Sequence, residues 1–226
     1  MDADASTTAV QPAVLSALEA RVLGCLIEKE LATPDIYPLT LNALVNACNQ
    51  RSNRDPVMDV MAREVEAALD QLRQKHLVAV FAGADARVPK FKQKIDAVYP
   101  MGTAARAVLG ELLLRGPQTL AGLRANSERM HPMPAPVEFD ALLTELTARP
   151  AGALVRQLPR QPGQKETRWA QLLSGEPVVA AGAAAEPLKV TLTLPPEVEQ
   201  RLTALEAEVG QLRAELSRLR GELGGG

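Results

Sequence analysis

Aromatic side chains are scarce in this chain: three Phe, two Tyr and one Trp amount to 3% of its 226 residues. An apolar core must then be built from Leu, Val and Ala, which argues for packed helices and against an all-β sandwich. Cysteine is nearly absent as well. Cys25 and Cys48 fall at helix-like apolar positions with no CxxC spacing or neighbouring His, so they read as buried free thiols in a reducing compartment rather than a metal or redox pair. The opening MDADASTTAVQP is acidic and lacks the apolar region of a signal peptide. No apolar run approaches the roughly 20 residues of a membrane span. A Gly-rich phosphate loop, HExxH and GxSxG are all missing. Of the two histidines, His76 falls on an apolar stripe, where it reads as packed or carbonyl-bonded, and His131 lies in a proline-rich turn with no nucleophile beside it in sequence. These absences lead to the expectation of a cytoplasmic, non-enzymatic protein with no membrane segment, no cofactor and no metal.

The length suits two modest domains. SALEARVLGCLIEKEL opens with Ser16 and Glu19 in capping-box spacing, and Leu18, Val22, Cys25 and Leu26 recur on one helical face. Pro34 and Pro38 break this first helix. Thr40 then stands as an N-cap, with Leu39 and Leu44 spaced as a hydrophobic staple, so a second helix runs through LNALVNAC. After a polar connection, REVEAALDQLRQKH places Val65, Leu69, Leu72 and His76 on the stripe of a third helix. LVAVFAG and RVPKFKQK, separated by Gly83, Ala84 and Asp85, read as a hairpin.

Helix, helix, turn, helix and hairpin is the order of a winged helix-turn-helix. The pattern repeats through TAARAVLGELLLRG, TLAGLRANSERM and PVEFDALLTELTAR to a hairpin of ALVRQLP and KETRWAQLL. The expected fold class is therefore mainly α with small β-hairpins (α+β). A flexible N-terminus (1–14) precedes winged-helix domains at 15–100 and 101–175. A linker with a short strand (176–196) and a coiled-coil helix (197–223) follow.

The run LSALEARVLGCLIEKELATPDIYPLTLNALVNACNQRSNRDPVMDV, with VEAALDQLRQKHLV, ELLLRGPQTLAGLR, RWAQLLSGE and the terminal LEAEVGQLRAEL, resembles the YceH-like family of bacterial proteins. NACNQRSNRDPV is the most specific part of the likeness. The resemblance implies tandem winged-helix domains in a cytoplasmic bacterial protein and supplies no activity. Phe91 and Trp169 stand where it leads one to expect a Tyr in each wing, which keeps a packing ring and alters its polar handle.

Charge is segregated along the chain, with net −2 over residues 1–100, +3 over 101–175 and −3 over 176–226. Both hairpins are basic: Arg87, Lys90, Lys92 and Lys94 in the first, and Arg156, Arg160, Lys165 and Arg168 with Arg149 against Glu166 in the second. Cations on a wing gain affinity for duplex DNA by releasing counterions. They also occur as solvated lysines protecting an edge strand. The third helices suit DNA less well, because Arg63, Arg73 and Lys75 are balanced by three acids, and residues 137–148 carry Glu138, Asp140 and Glu145 with no base. Before the third helix, NACNQRSNRDPV presents Asn49, Gln50, Arg51, Asn53 and Arg54. In that place they would meet phosphate or base edges, or else close the turn on its own backbone, with Arg54 paired to Asp55 or Asp59.

The last segment changes period. Val198, Leu205, Leu212 and Leu219 at d, with Leu202, Val209, Leu216 and Leu223 at a, form an unbroken heptad seam. The function expected is a homodimer, joined by this helix, that binds duplex DNA through basic wings as a transcriptional regulator or nucleoid-associated factor. The rival is an adaptor whose winged helices bind a protein partner, as in chromosome-organising complexes, by analogy of fold alone.

Overall fold

A computed structural model describes residues 14–81 and 88–177, together with 201, 208, 209, 211 and 218. The chain divides into two compact units, Met1–Ala181 and Gly182–Gly226.

The first unit begins with α1 (Ala17–Ala32), capped as its sequence predicts: the Ser16 side chain accepts from the Glu19 N–H, and Glu19 accepts from the Ser16 N–H at 2.6 Å. A 3-10 turn at Pro34–Ile36 leads to β1 (Leu39–Thr40) and α2 (Leu41–Cys48), whose N-cap Thr40 accepts from the Ala43 N–H. α3 (Ala62–Gln74) ends in a reversal that the periodicity alone did not reveal. His76 adopts φ 59°, Leu77 N–H donates to the Leu72 carbonyl, and His76 N–H donates to that of Arg73. This is a Schellman cap. His76 is consequently exposed at the C′ position, not packed on the stripe, and it is Leu77 that enters the core. β2 (Val78–Phe81) and β3 (Lys90–Gln93) pair antiparallel, and β3 also pairs with β1 to give the order β1-β3-β2.

A short helix α4 (Ile95–Val98) joins the two halves. The second half then repeats the first: α5 (Thr103–Arg115), α6 (Leu120–Ser127), α7 (Pro136–Thr147), and β4 (Val155–Leu158) antiparallel to β5 (Arg168–Gln171). The likeness extends to detail. Thr119 caps α6 as Thr40 caps α2, and Gln118 bridges to Trp169 just as Leu39 bridges to Phe91. Phe91 and Trp169 are both buried, so a strand of each half carries a buried ring; the indole Nε1 of Trp169 has no hydrogen-bond partner among the described residues.

One core runs through both halves. A single apolar face was expected on α1, yet every residue from Glu19 to Glu28 is buried, because α5 covers the side that α2 and α3 leave free. Two glycines allow this close crossing. A Cβ on Gly24 would lie 3.0 Å from the Leu114 side chain, and one on Gly110 would lie 2.7 Å from Cγ2 of Ile27. Gly110→Ala should therefore cost about 1–3 kcal/mol by overpacking, against a helix-propensity gain of about 1 kcal/mol. Thermal unfolding of this variant is expected to give a lower Tm than the parent.

Of the heptad positions Val198, Leu202, Leu205, Val209, Leu212, Leu216, Leu219 and Leu223, only Val209 lies among the described residues; it is helical and exposed. Arg201, Glu208, Gln211 and Arg218 are helical too. No helix among the described residues is long and apolar enough to cross a membrane.

Candidate nucleic-acid interface

Strand alternation sorts the first hairpin into two faces. Phe91 and Gln93 of β3 are buried inward, so Lys90 and Lys92 project outward with their cross-strand partners Phe81 and Ala79. Thr40, opposite Lys90 on β1, shares that face. Lys94 follows at the strand end, exposed. No carboxylate of the described residues pairs with Lys90, Lys92 or Lys94. The Lys92 ammonium lies 5.8 Å from the centre of the Phe81 ring. Arg87 lies outside the described residues.

The second hairpin is basic but partly occupied. Arg156 pairs with Glu176, and Arg168 donates to the Pro117 carbonyl at 3.2 Å. Arg160 and Lys165 are exposed in the connection between β4 and β5. On α3, Arg63 is exposed beside Glu64 and Glu66, while Arg73 pairs with Asp70 at 3.0 Å.

The NACNQRSNRDPV segment divides differently from either reading taken alone. Arg54, expected near a duplex, is only 6% exposed and uses all five of its N–H groups. Its Nε donates to the Ala47 carbonyl (3.0 Å). Nη1 donates to the Asn53 carbonyl (2.8 Å) and Glu28 Oε1 (3.2 Å), and Nη2 to Glu28 Oε2 (2.5 Å) and Gln50 Oε1 (2.8 Å). Its carboxylate partner is therefore Glu28 of α1, neither Asp55 nor Asp59. Asn49 is also turned inward, exchanging two 2.9 Å hydrogen bonds with the backbone of Val60. Gln50 supports Arg54, and Asn53 turns the chain at φ 55°. Arg51 alone of the two arginines faces solvent.

Glu28 is the centre of this arrangement. It also receives Arg129 from the second half, and Arg129 Nη2 reaches Glu111 Oε2 on α5 at 2.7 Å. Glu111, fully buried, accepts from Gln118 and lies 3.5 Å from Arg115 Nε. Burial acts to raise the Glu28 carboxyl, but hydrogen bonds and charge from Arg54 and Arg129 hold it below its ordinary value. Burial likewise opposes the charge on Arg54, and the Glu28 hydrogen bonds outweigh it and raise its pKa. Nearby Arg21, 1% exposed, donates to the carbonyls of Cys48, Pro56 and Leu114, and burial lowers its pKa. Cys25 and Cys48 beside it are free and buried. Guanidinium and carboxylate thus latch the loop, α1, α5 and the turn after α6 together. The sequence signal for Glu111 was a lone acid inside an apolar run; Glu28 stands at the end of one, followed by Lys29 and Glu30, and for Arg129 there was no signal.

A family model described as "Protein of unknown function, DUF480" matches residues 15–164. The chain belongs to the DUF480 family. A UPF0502 protein of Geobacter sulfurreducens is 50% identical over 199 residues, covering 88% of this chain and 90% of the relative. One from Dechloromonas aromatica is 45% identical over 200 residues (88% and 93%), and one from Burkholderia ambifaria 46% over 214 residues (93% and 89%). The DUF480 match spans the whole Glu28–Arg54–Arg129–Glu111 latch and the first hairpin, and stops before β5.

Proposed function

We propose that this DUF480 chain is a non-enzymatic, dimeric tandem winged-helix protein of the bacterial cytoplasm; its resemblance to the YceH-like proteins implies the winged-helix domains and the cytoplasmic place, and the heptad seam and the missing catalytic motifs suggest the rest. In this reading it binds duplex DNA chiefly through its basic wings, as a transcriptional regulator or nucleoid-associated factor. The repeated order of helices and hairpins, with a short extended segment pairing back onto each hairpin, supports the winged-helix reading. The observation that carries the DNA reading is the outward face of the first hairpin, where three lysines stand without a carboxylate partner among the described residues. Phosphate is the polyanion that such a face neutralises without reading sequence.

Changing Lys90, Lys92 and Lys94 together to Ala is expected to weaken binding to random duplex DNA and to flatten the plot of log K against log salt. The slope should change by up to about 3 if each lysine meets a phosphate. An unchanged slope in a folded triple variant would remove the first wing from the interface.

A second reading, a protein adaptor, is favoured by a different surface. Val57 and Met61 are more than half exposed among Asp55 and Asp59, and Val137 at the start of the acidic α7 is 83% exposed. A pull-down resistant to nuclease that recovers one stoichiometric protein would favour this reading over DNA.

A further inference from the structure

Phe81 is 46% exposed, although the chain has only three phenylalanines and the other two are buried. A single exposed apolar side chain needs no explanation by itself. Its surroundings are what matter here. Phe81 lies opposite Lys90 in the β2–β3 register, and the Lys92 ammonium stands over its ring. Both lysines share the outer face of the sheet and lack carboxylate partners among the described residues. The inner face already has its own ring in Phe91, so the core does not require Phe81. An aromatic ring interleaved with unpaired cations fits one ligand best: a nucleic-acid strand, whose bases stack on the ring while its phosphates meet the lysines.

A closed duplex offers the lysines phosphates but offers the ring no base, because each base face is covered by its neighbours. An unpaired nucleotide supplies both. Resting on the DNA-binding reading above, we propose that the first wing recognises single-stranded DNA interrupting a duplex, with Phe81 stacking on an unpaired base and Lys90 and Lys92 neutralising the flanking phosphates. The preference would be for DNA structure and would be tolerant of sequence, since every base has a π-face.

The test compares a covalently closed, relaxed circular duplex with the same circle carrying a single-stranded gap that contains 2-aminopurine. The parent protein should prefer the gapped circle by roughly tenfold or more and should quench the 2-aminopurine fluorescence. Phe81→Ala and Phe81→Leu should both lose the preference and the quenching while binding the closed circle as the parent does. Phe81→Trp should keep both. The leucine variant retains apolar bulk without a π-face, so gap preference surviving in it overturns the stacking. Equal binding of the two circles by the parent also overturns the stacking, and leaves duplex binding by the wings intact. Failure of the parent to bind either circle, with or without binding to anionic vesicles or acidic peptides, overturns this proposal and the DNA reading together. Because Phe81 is half exposed, its variants are expected to melt close to the parent, which thermal unfolding checks.

Discussion

Arg54→Ala should lower the unfolding free energy by roughly 3–5 kcal/mol, the range for removing one partner of a buried ion pair. The loss has two sources. Glu28, only 3% exposed, would keep only the partly exposed Arg129 and Lys29 as cationic partners, and the Ala47 and Asn53 carbonyls would each lose a donor that sits inside the loop. Arg51→Ala, three residues away and exposed, should stay within about 0.5 kcal/mol of the parent in stability. Urea denaturation of both variants checks the contrast. Its pH dependence follows from Glu28, whose folded carboxyl lies below the ordinary value of 4.5. A carboxyl lowered on folding contributes stability that is complete above its unfolded pKa and is lost as pH falls through the folded one. The gap between parent and Arg54→Ala should accordingly be full at pH 7 and shrink below about pH 4.5. A variant that keeps its stability but loses DNA affinity would return Arg54 to the interface and contradict its buried assignment. Arg129→Ala should cost less, since its side chain is 26% exposed and water can replace part of what it donates.

Removing residues 197–223 should turn the protein into a monomer and weaken its hold on a long duplex by roughly a hundredfold, the lower end of what linking two binding modules gains. Dimerisation through the heptad seam is a proposal from sequence, and so is its direction. With Leu202, Val209, Leu216 and Leu223 at a, the g positions are Arg201, Glu208, Glu215 and Glu222, and the e positions are Glu199, Glu206, Arg213 and Arg220. In a parallel pair, Arg201 faces Glu206, Glu208 faces Arg213 and Glu215 faces Arg220, all attractive. A blunt-ended antiparallel pair brings Glu208 against Glu215. Exposed pairs contribute only about 0.2–1 kcal/mol each, so they select an orientation more than they create the dimer. Gly224→Cys should form a covalent dimer efficiently under mild oxidation if the helices are parallel. Cys25 and Cys48 are buried, so they can stay in place during that experiment. Sedimentation as a monomer at micromolar concentration, or a dimer that Gly224→Cys fails to trap, would overturn the arrangement.

Local structure was legible wherever the deciding interaction lies within three or four residues. Ser16 and Glu19 form their capping box, and Thr40 caps α2. Such hydrogen bonds depend on neighbours in sequence, so residue type and spacing determine them. The direction of the charged side chains was not legible. Arg54 finds Glu28 at a separation of 26 residues and Arg129 finds it at 101, distances over which no sequence period operates. Nearby Asp55 and Asp59 were nearer along the chain and still were not chosen, because Arg54 is carried into the core while they remain at the surface. The same holds for α1. Its periodicity marks one apolar face, and only the approach of α5 across Gly24 and Gly110 decides that the other face is buried too. In this protein the sequence by itself determined the order of the main helices and hairpins and the caps that begin α1 and α2, though not the reversal that ends α3. Only the tertiary structure decided which cations pair inside with carboxylates and which remain at the surface, since that choice depends on burial and contact between segments distant in the chain.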